Sequence, residues 1–117
     1  LIVEDDSLLS RLYQKEFSFR GYAVDVAFDG EAGLTRVYKF KPDLILLDLL
    51  MPKLGGLQVL EKLKGDEATK NIPVVILTNN PEDAGEALKK GALMYLKKED
   101  QTPKEMVDKV EEVLKKK

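Results

Sequence analysis

Four apolar residues in a row, Leu44-Ile45-Leu46-Leu47, run without a polar interruption and end at Asp48. A strand with one wet face alternates apolar and polar residues, whereas an unbroken run of this length is buried on both faces, as in a parallel sheet. Leu1-Ile2-Val3, stopped by Glu4-Asp5-Asp6, has the same form. In open α/β sheets the chemistry gathers outside the carboxyl ends of the strands. Two buried strands that each end in carboxylates therefore predict one acidic pocket, and such a pocket calls for a cation.

Apolar runs and amphipathic stretches alternate along the chain. Strands are expected at Leu1–Val3, Tyr22–Ala27, Leu44–Asp48, Val74–Thr78 and Met94–Leu96. The first helix is expected to start at a Ser7 N-cap and run to Phe19, with Leu8, Leu9, Leu12, Tyr13 and Phe17 at helical spacing and Gly21 as its stop. Asp29 caps a second helix over Gly30–Phe40, and Gly55-Gly56 opens a third with Leu57, Leu60 and Leu63 inward, closed near Gly65. Asn80-Pro81-Glu82-Asp83 starts a fourth helix with a thin apolar face of Ala84, Ala87 and Leu88, an internal Gly85, and an end at Gly91. Thr102-Pro103-Lys104-Glu105 is a capping box for the last, which turns Met106, Val107, Val110, Val113 and Leu114 inward.

Strands joined by helical crossovers imply a parallel sheet with helices on both faces. Crossovers are right-handed, so covering both faces requires one reversal of direction. The common solution for five strands is the flavodoxin-like order 2-1-3-4-5, a (βα)5 three-layer sandwich. It makes the first and third strands neighbours, roughly 5 Å apart. Glu4, Asp5 and Asp48 then converge at the reversal, with Thr78 one strand further on and Lys98 beyond it. Sequence spacing alone does not bring them together; this topology does.

At 117 residues the chain reads as one domain, residues 1–117, with the first strand trimmed at its start. A net charge of −2 leaves no electrostatic footprint for nucleic acid. With no cysteine there are no disulfides or thiolate metal sites, and with no histidine the usual general base and any phosphohistidine chemistry are missing from this chain. No apolar stretch approaches the roughly 20 residues of a membrane span, and no signal peptide is recognisable, so a cytoplasmic location is expected. Lys115-Lys116-Lys117 reads as a solvated helix end or the start of a linker.

The segments Leu1–Asp6, Asp43–Pro52, Val74–Thr78 and Gly91–Lys98, in this order, closely resemble the receiver domain of two-component response regulators, across essentially the whole chain. The resemblance implies a phosphorelay switch rather than a conventional enzyme. Asp48 would accept a phosphoryl group from a histidine kinase or histidine phosphotransfer protein. Glu4 and Asp5 would help Asp48 and the Leu50 carbonyl to bind Mg²⁺, Thr78 would hydrogen-bond the phosphoryl group, and Lys98 would pair with its charge. Tyr95 would turn inward as part of a switch that alters the surface of the fourth helix, fifth strand and last helix. The output would be a downstream protein or a fused domain, with the receiver a monomer or a weak, phosphorylation-dependent dimer.

The physical chemistry agrees. A carboxylate is a weak nucleophile toward phosphorus unless the incoming charge is neutralised. Clustered carboxylates raise one another's pKa values, which Mg²⁺ and Lys98 lower again. Mg²⁺ takes few protein oxygens and keeps several waters, so Glu4 can act directly or through a water. The chain departs from the family pattern at Glu99, where a proline is common, at Asn79, where a small residue is usual, and at Gly55, where an acid often stands. Leu50 and Asn80 offer neither a strong base nor a positive charge.

Each residue also has a plainer reading. Aspartates cap helices and end strands, Asp6 serves the helix dipole, Thr78 suits a strand, Lys98 is one of nineteen basic residues, and Tyr95 fits a core. Their coincidence at the carboxyl ends of four strands favours the switch. A receiver-like interaction module that is not phosphorylated is the alternative. An aspartate-nucleophile phosphatase is disfavoured by Leu50, which stands where a second acid would be needed, and a nucleotide hydrolase by the lack of a phosphate-binding glycine loop.

Overall fold

Successive residues of a strand point to opposite faces of the sheet, and the apolar runs divide accordingly. Leu1, Val3, Ile45, Leu47, Val74 and Ile76 pack on one side, while Ile2, Leu44, Leu46, Val75 and Leu77 pack on the other. The computed structural model describes residues 1–51 and 54–115. Pro52 of the third-strand segment, Lys53, and Lys116 and Lys117 of the terminal lysine run lie outside the described residues.

The strands are β1 (Ile2–Val3), β2 (Val26–Ala27), β3 (Ile45–Asp48), β4 (Val74–Thr78) and β5 (Met94–Lys97). Between and after them come α1 (Ser7–Phe19), α2 (Gly30–Phe40), α3 (Gly56–Lys64), α4 (Pro81–Lys89) and α5 (Pro103–Lys115), with a 3-10 turn at Lys98–Asp100. All strand pairs are parallel and the order is 2-1-3-4-5, the expected flavodoxin-like sheet. Tyr13 and Phe17 of α1 and Met106, Val107 and Val110 of α5 cover one face. Val37 of α2, Val59, Leu60 and Leu63 of α3 and Ala87 of α4 cover the other.

Register fixes the site. Ile2 pairs with Leu46 and Val3 with Leu47, so one step past the last pair Glu4 stands beside Asp48. On the opposite side Asp48 pairs with Leu77, which leaves Thr78 as the last residue of β4.

Two local expectations are corrected. The N-cap of α1 is Asp6, not Ser7: its carboxylate accepts from the Leu8 and Leu9 N–H groups at 3.0 and 3.1 Å. Both residue types are good caps, and the extended backbone at Asp6 (φ −76°, ψ 105°) makes it the capping position. β2 spans two residues rather than Tyr22–Ala27. Gly21, at φ 93°, turns Tyr22 back so that its N–H bonds the Phe17 carbonyl and its hydroxyl bonds Glu111, which keeps it off the sheet. Within α1, Leu8 and Leu12 point to solvent while Leu9, Tyr13 and Phe17 meet the sheet. The capping box of α5 is present, with Thr102 and Glu105 exchanging backbone-to-side-chain bonds at 3.0 and 3.2 Å.

Candidate functional site

One glycine lets the backbone close up around the end of β3. A Cβ on Gly56 would stand 2.5 Å from the Asp48 carbonyl oxygen and 2.6 Å from the Leu49 Cα. Only glycine lets the start of α3 pack directly behind Asp48. Beside it, Gly55 is the N-cap, and its N–H is held by the Gln58 side chain at 3.2 Å. Sequence reading saw the pair as a helix opening; the part of Gly56 in seating Asp48 comes from the close approach in space.

Glu4, Asp5 and Asp48 each present a carboxylate oxygen within 4.8 Å of the others, and among the described residues no other such group of three exists. Glu4 is fully buried, Asp48 nearly so, and Asp5 opens to solvent. Lys98 reaches over from the end of β5 to contact Glu4 Oε1 at 2.6 Å and Asp48 Oδ2 at 3.2 Å. Glu4 Oε1 is thus paired in charge with Lys98, while its Oε2 accepts from the Asp6 N–H at 3.2 Å. Asp48 Oδ1 accepts from the Leu50 N–H at 3.3 Å. Burial, then the charge of Glu4 and a hydrogen bond with it, push the Asp48 carboxyl up to about 7, against the pull of Lys98. Burial also lowers the Lys98 ammonium, but its contacts with Glu4 and Asp48 outweigh that and hold it above its usual range. Beneath the site, burial and the charge of Glu4 push the Tyr13 hydroxyl up to about 12.

The other expected residues surround this cluster. Thr78 is buried at the end of β4, and its Oγ1 accepts from the Asn80 N–H at 3.1 Å. Leu50 is 72% exposed just past Asp48. Tyr95 stands further back, paired with Ile76 along β5 and 42% exposed, outside the acidic cluster. Asp6 is committed to capping α1. Reading the sequence missed Asn79 as a contact residue: its Oδ1 accepts from the Glu99 N–H at 2.9 Å. No pattern in the linear chain connects those two positions.

The cluster suits a hard divalent cation. Oxygens around one Mg²⁺ stand ~3–4 Å apart, and these three carboxylates already present oxygens within 4.8 Å of one another. Anionic oxygens gathered in a largely buried place are the donor set that such an ion prefers.

The model of the family described as "Response regulator receiver domain" matches residues 1–111. The chain belongs to that family. A receiver domain is a phosphoacceptor switch rather than a conventional enzyme, and the acidic pocket of this one is consistent with phosphoacceptor signalling. The DNA-binding dual master transcriptional regulator RpaA of Synechocystis sp. is 39% identical over 100 residues, which are 84% of this chain and 42% of RpaA. The receiver thus spans less than half the length of the curated relatives it first matches. Among solved structures, the receiver domain of the Francisella response regulator 1452 superposes with a TM-score of 0.86 at 30% identity, covering 98% of this chain and 94% of that one. The Mn²⁺-bound form of response regulator Rcp1 matches with a TM-score of 0.70 at 33% identity, covering 83% and 78%. Among the described residues no helix is long and apolar enough to cross a membrane.

Proposed function

We propose that the domain accepts a phosphoryl group on Asp48 in a Mg²⁺-dependent step, from a histidine kinase or histidine phosphotransfer protein in the cytoplasm. The observation that carries this reading is the placement of Asp48: it ends a central, doubly buried strand, between the carboxylate of Glu4 and the ammonium of Lys98. Glu4, Asp5, Asp48 and the Leu50 carbonyl would hold the ion. When bound, Mg²⁺ supplies positive charge that keeps Asp48 ionised and offsets the charge of the incoming phosphoryl oxygens.

An Asp48 carboxylate oxygen forms the new P–O bond while the donor's P–N bond breaks, and the departing imidazole nitrogen keeps the electron pair. Lys98 turns its charge from the carboxylates toward the phosphoryl oxygens. The Thr78 hydroxyl oxygen already accepts from Asn80, so its own proton is the one to donate to the phosphoryl group. Moving Thr78 inward draws the Asn79-Asn80 segment with it, and the space released admits Tyr95. The altered surface is then α4, β5 and α5, read by a downstream protein or a fused domain. The DNA-binding activity that RpaA's name records is one form such an output takes.

Intact-mass analysis after acetyl phosphate treatment tests this. Wild type should gain one phosphoryl adduct with Mg²⁺ and little without it, and Asp48→Asn none. An adduct surviving that substitution would contradict the assignment, and none on the wild type would favour a passive interaction module. In Mg²⁺ titrations Asp5→Ala should lose binding. Asp6→Ala should keep it and lose only helix stability, about 1 kcal/mol, because Asp6 is turned into the cap of α1.

A further inference from the structure

Backbone pairing between β4 and β5 ends at Thr78 and Lys97. Beyond that pair the two chains diverge, one through Asn79 and Asn80 into α4, the other into the single turn Lys98–Asp100. A lone 3-10 turn is a weak foundation, since its hydrogen bonds are poorly aligned, and this one is spanned only by the Gln101 side chain, which donates to the Lys97 carbonyl at a long 3.3 Å. Yet Lys98 must project its ammonium back over Glu4 and Asp48 from there. One bond ties the turn to the neighbouring loop, from the Glu99 backbone N–H to Asn79 Oδ1, at 2.9 Å and across 20 residues of sequence. The donor exists because residue 99 is not proline, which has no N–H. The acceptor exists because residue 79 carries an amide that reaches across the gap. Two separate oddities of the sequence are thus the two halves of one contact.

We infer that Asn79 is a positioning residue: its bond to Glu99 extends the β4–β5 pairing past the end of the sheet and fixes the Lys98 turn relative to Thr78. The two groups that would touch opposite sides of a phosphoryl group are then carried on one tied unit. A pull on Thr78 reaches the Lys98 turn directly, through Asn79, without passing through the core. The inference rests on the phosphoacceptor reading and adds a residue to it.

The test is titration with Mg²⁺ and with Mg²⁺ plus beryllofluoride, a phosphoryl mimic, for wild type, Asn79→Ala, Lys98→Ala and the double variant. Asn79 is exposed, so its truncation leaves the core intact. Asn79→Ala should weaken beryllofluoride binding about three- to tenfold, the worth of one hydrogen bond. Its Mg²⁺ affinity should stay at the wild-type value, because the carboxylates sit on β3 and the residues just after β1, and its melting temperature should fall by only the few degrees that one exposed hydrogen bond is worth. In the Lys98→Ala background the Asn79 substitution should have no further effect, as expected if it acts through Lys98. Equal beryllofluoride affinity in wild type and Asn79→Ala would overturn the tie alone, as would additive losses in the double variant or a parallel loss of Mg²⁺ affinity. A wild type that binds no beryllofluoride with Mg²⁺ would overturn the phosphoacceptor reading, and the tie with it.

Discussion

Asp48 is kept in a place that its charge opposes, and the opposition is measurable. Its carboxyl is pushed from 3.8 to about 7 by burial first and by Glu4 second. An acid whose pKa is higher folded than unfolded binds its proton more tightly in the folded state. Its favourable contribution is therefore complete below pH 3.8 and is lost as pH rises through about 7. Asparagine cannot ionise, so Asp48→Asn should gain stability over the wild type across that window, by about 2–4 kcal/mol above pH 7 in metal-free buffer. Denaturant unfolding at several pH values with a chelator checks this, and a gap that does not widen with pH would refute it. Millimolar Mg²⁺ should narrow the gap by stabilising the wild type. Gly56 tests the seat of the same residue. Gly56→Ala forces a Cβ against the Asp48 carbonyl and should cost about 1–3 kcal/mol in spite of alanine's better helix propensity.

Among the elements, α4 is the one built to yield. Its buried face is only Ala84 and Ala87, and Leu88 is exposed. Its internal Gly85 faces open space, so no close approach requires glycine there. Gly85→Ala should therefore stabilise the fold by about 1 kcal/mol and slow amide exchange in α4. If exchange in α4 does not change, the helix is not limited by its own propensity. Its ends are held unequally. The start hangs on the Asn80 cap and the Thr78–Asn80 bond, whereas the end is tied to α3 by Lys90 and Glu61 at 2.7 Å. On the proposed function, beryllofluoride with Mg²⁺ should perturb amide signals from Thr78 through Tyr95 more than those of α2. Thr78→Ala should keep Asp48 reactive and lose most of that remote response. Perturbation confined to the acidic pocket would rule out the switch.

At the scale of the molecule, α1 and α5 share a face of the sheet and are clasped at one edge by Arg20. Its guanidinium meets Glu16 at 2.9 Å, Asp108 at 2.6 Å and Glu111 at 3.1 Å, while the Tyr22 hydroxyl bonds Glu111 at 3.0 Å. The clasp holds α5 to the sheet from the side opposite the yielding α4. Arg20→Gln should lower the melting temperature, with a difference that shrinks as salt is raised, because Asp108 and Glu16 leave the clasp partly open to solvent. A salt-independent difference would mean that Arg20 acts through packing of its stem instead.

The sequence by itself determined the strand runs, the helices between them, most caps and the identity of the acids, because those depend on periodicity and on neighbours a few residues apart. It also carried the sheet order, once right-handed crossovers and two covered faces were required. It overextended β2, because the bonds that draw Tyr22 away come from α1 and from Glu111, far along the chain. It put the α1 cap one residue late, because Asp6 and Ser7 are both good caps and only the backbone path chooses between them. What only the tertiary structure decided are the contacts across elements. These are the full burial of Glu4, the reach of Lys98 over two carboxylates, the close packing of Gly56 on Asp48, and the bond that joins Asn79 to Glu99. Each depends on distances between segments that are remote in sequence, and those distances exist only once the sheet has brought the segments side by side.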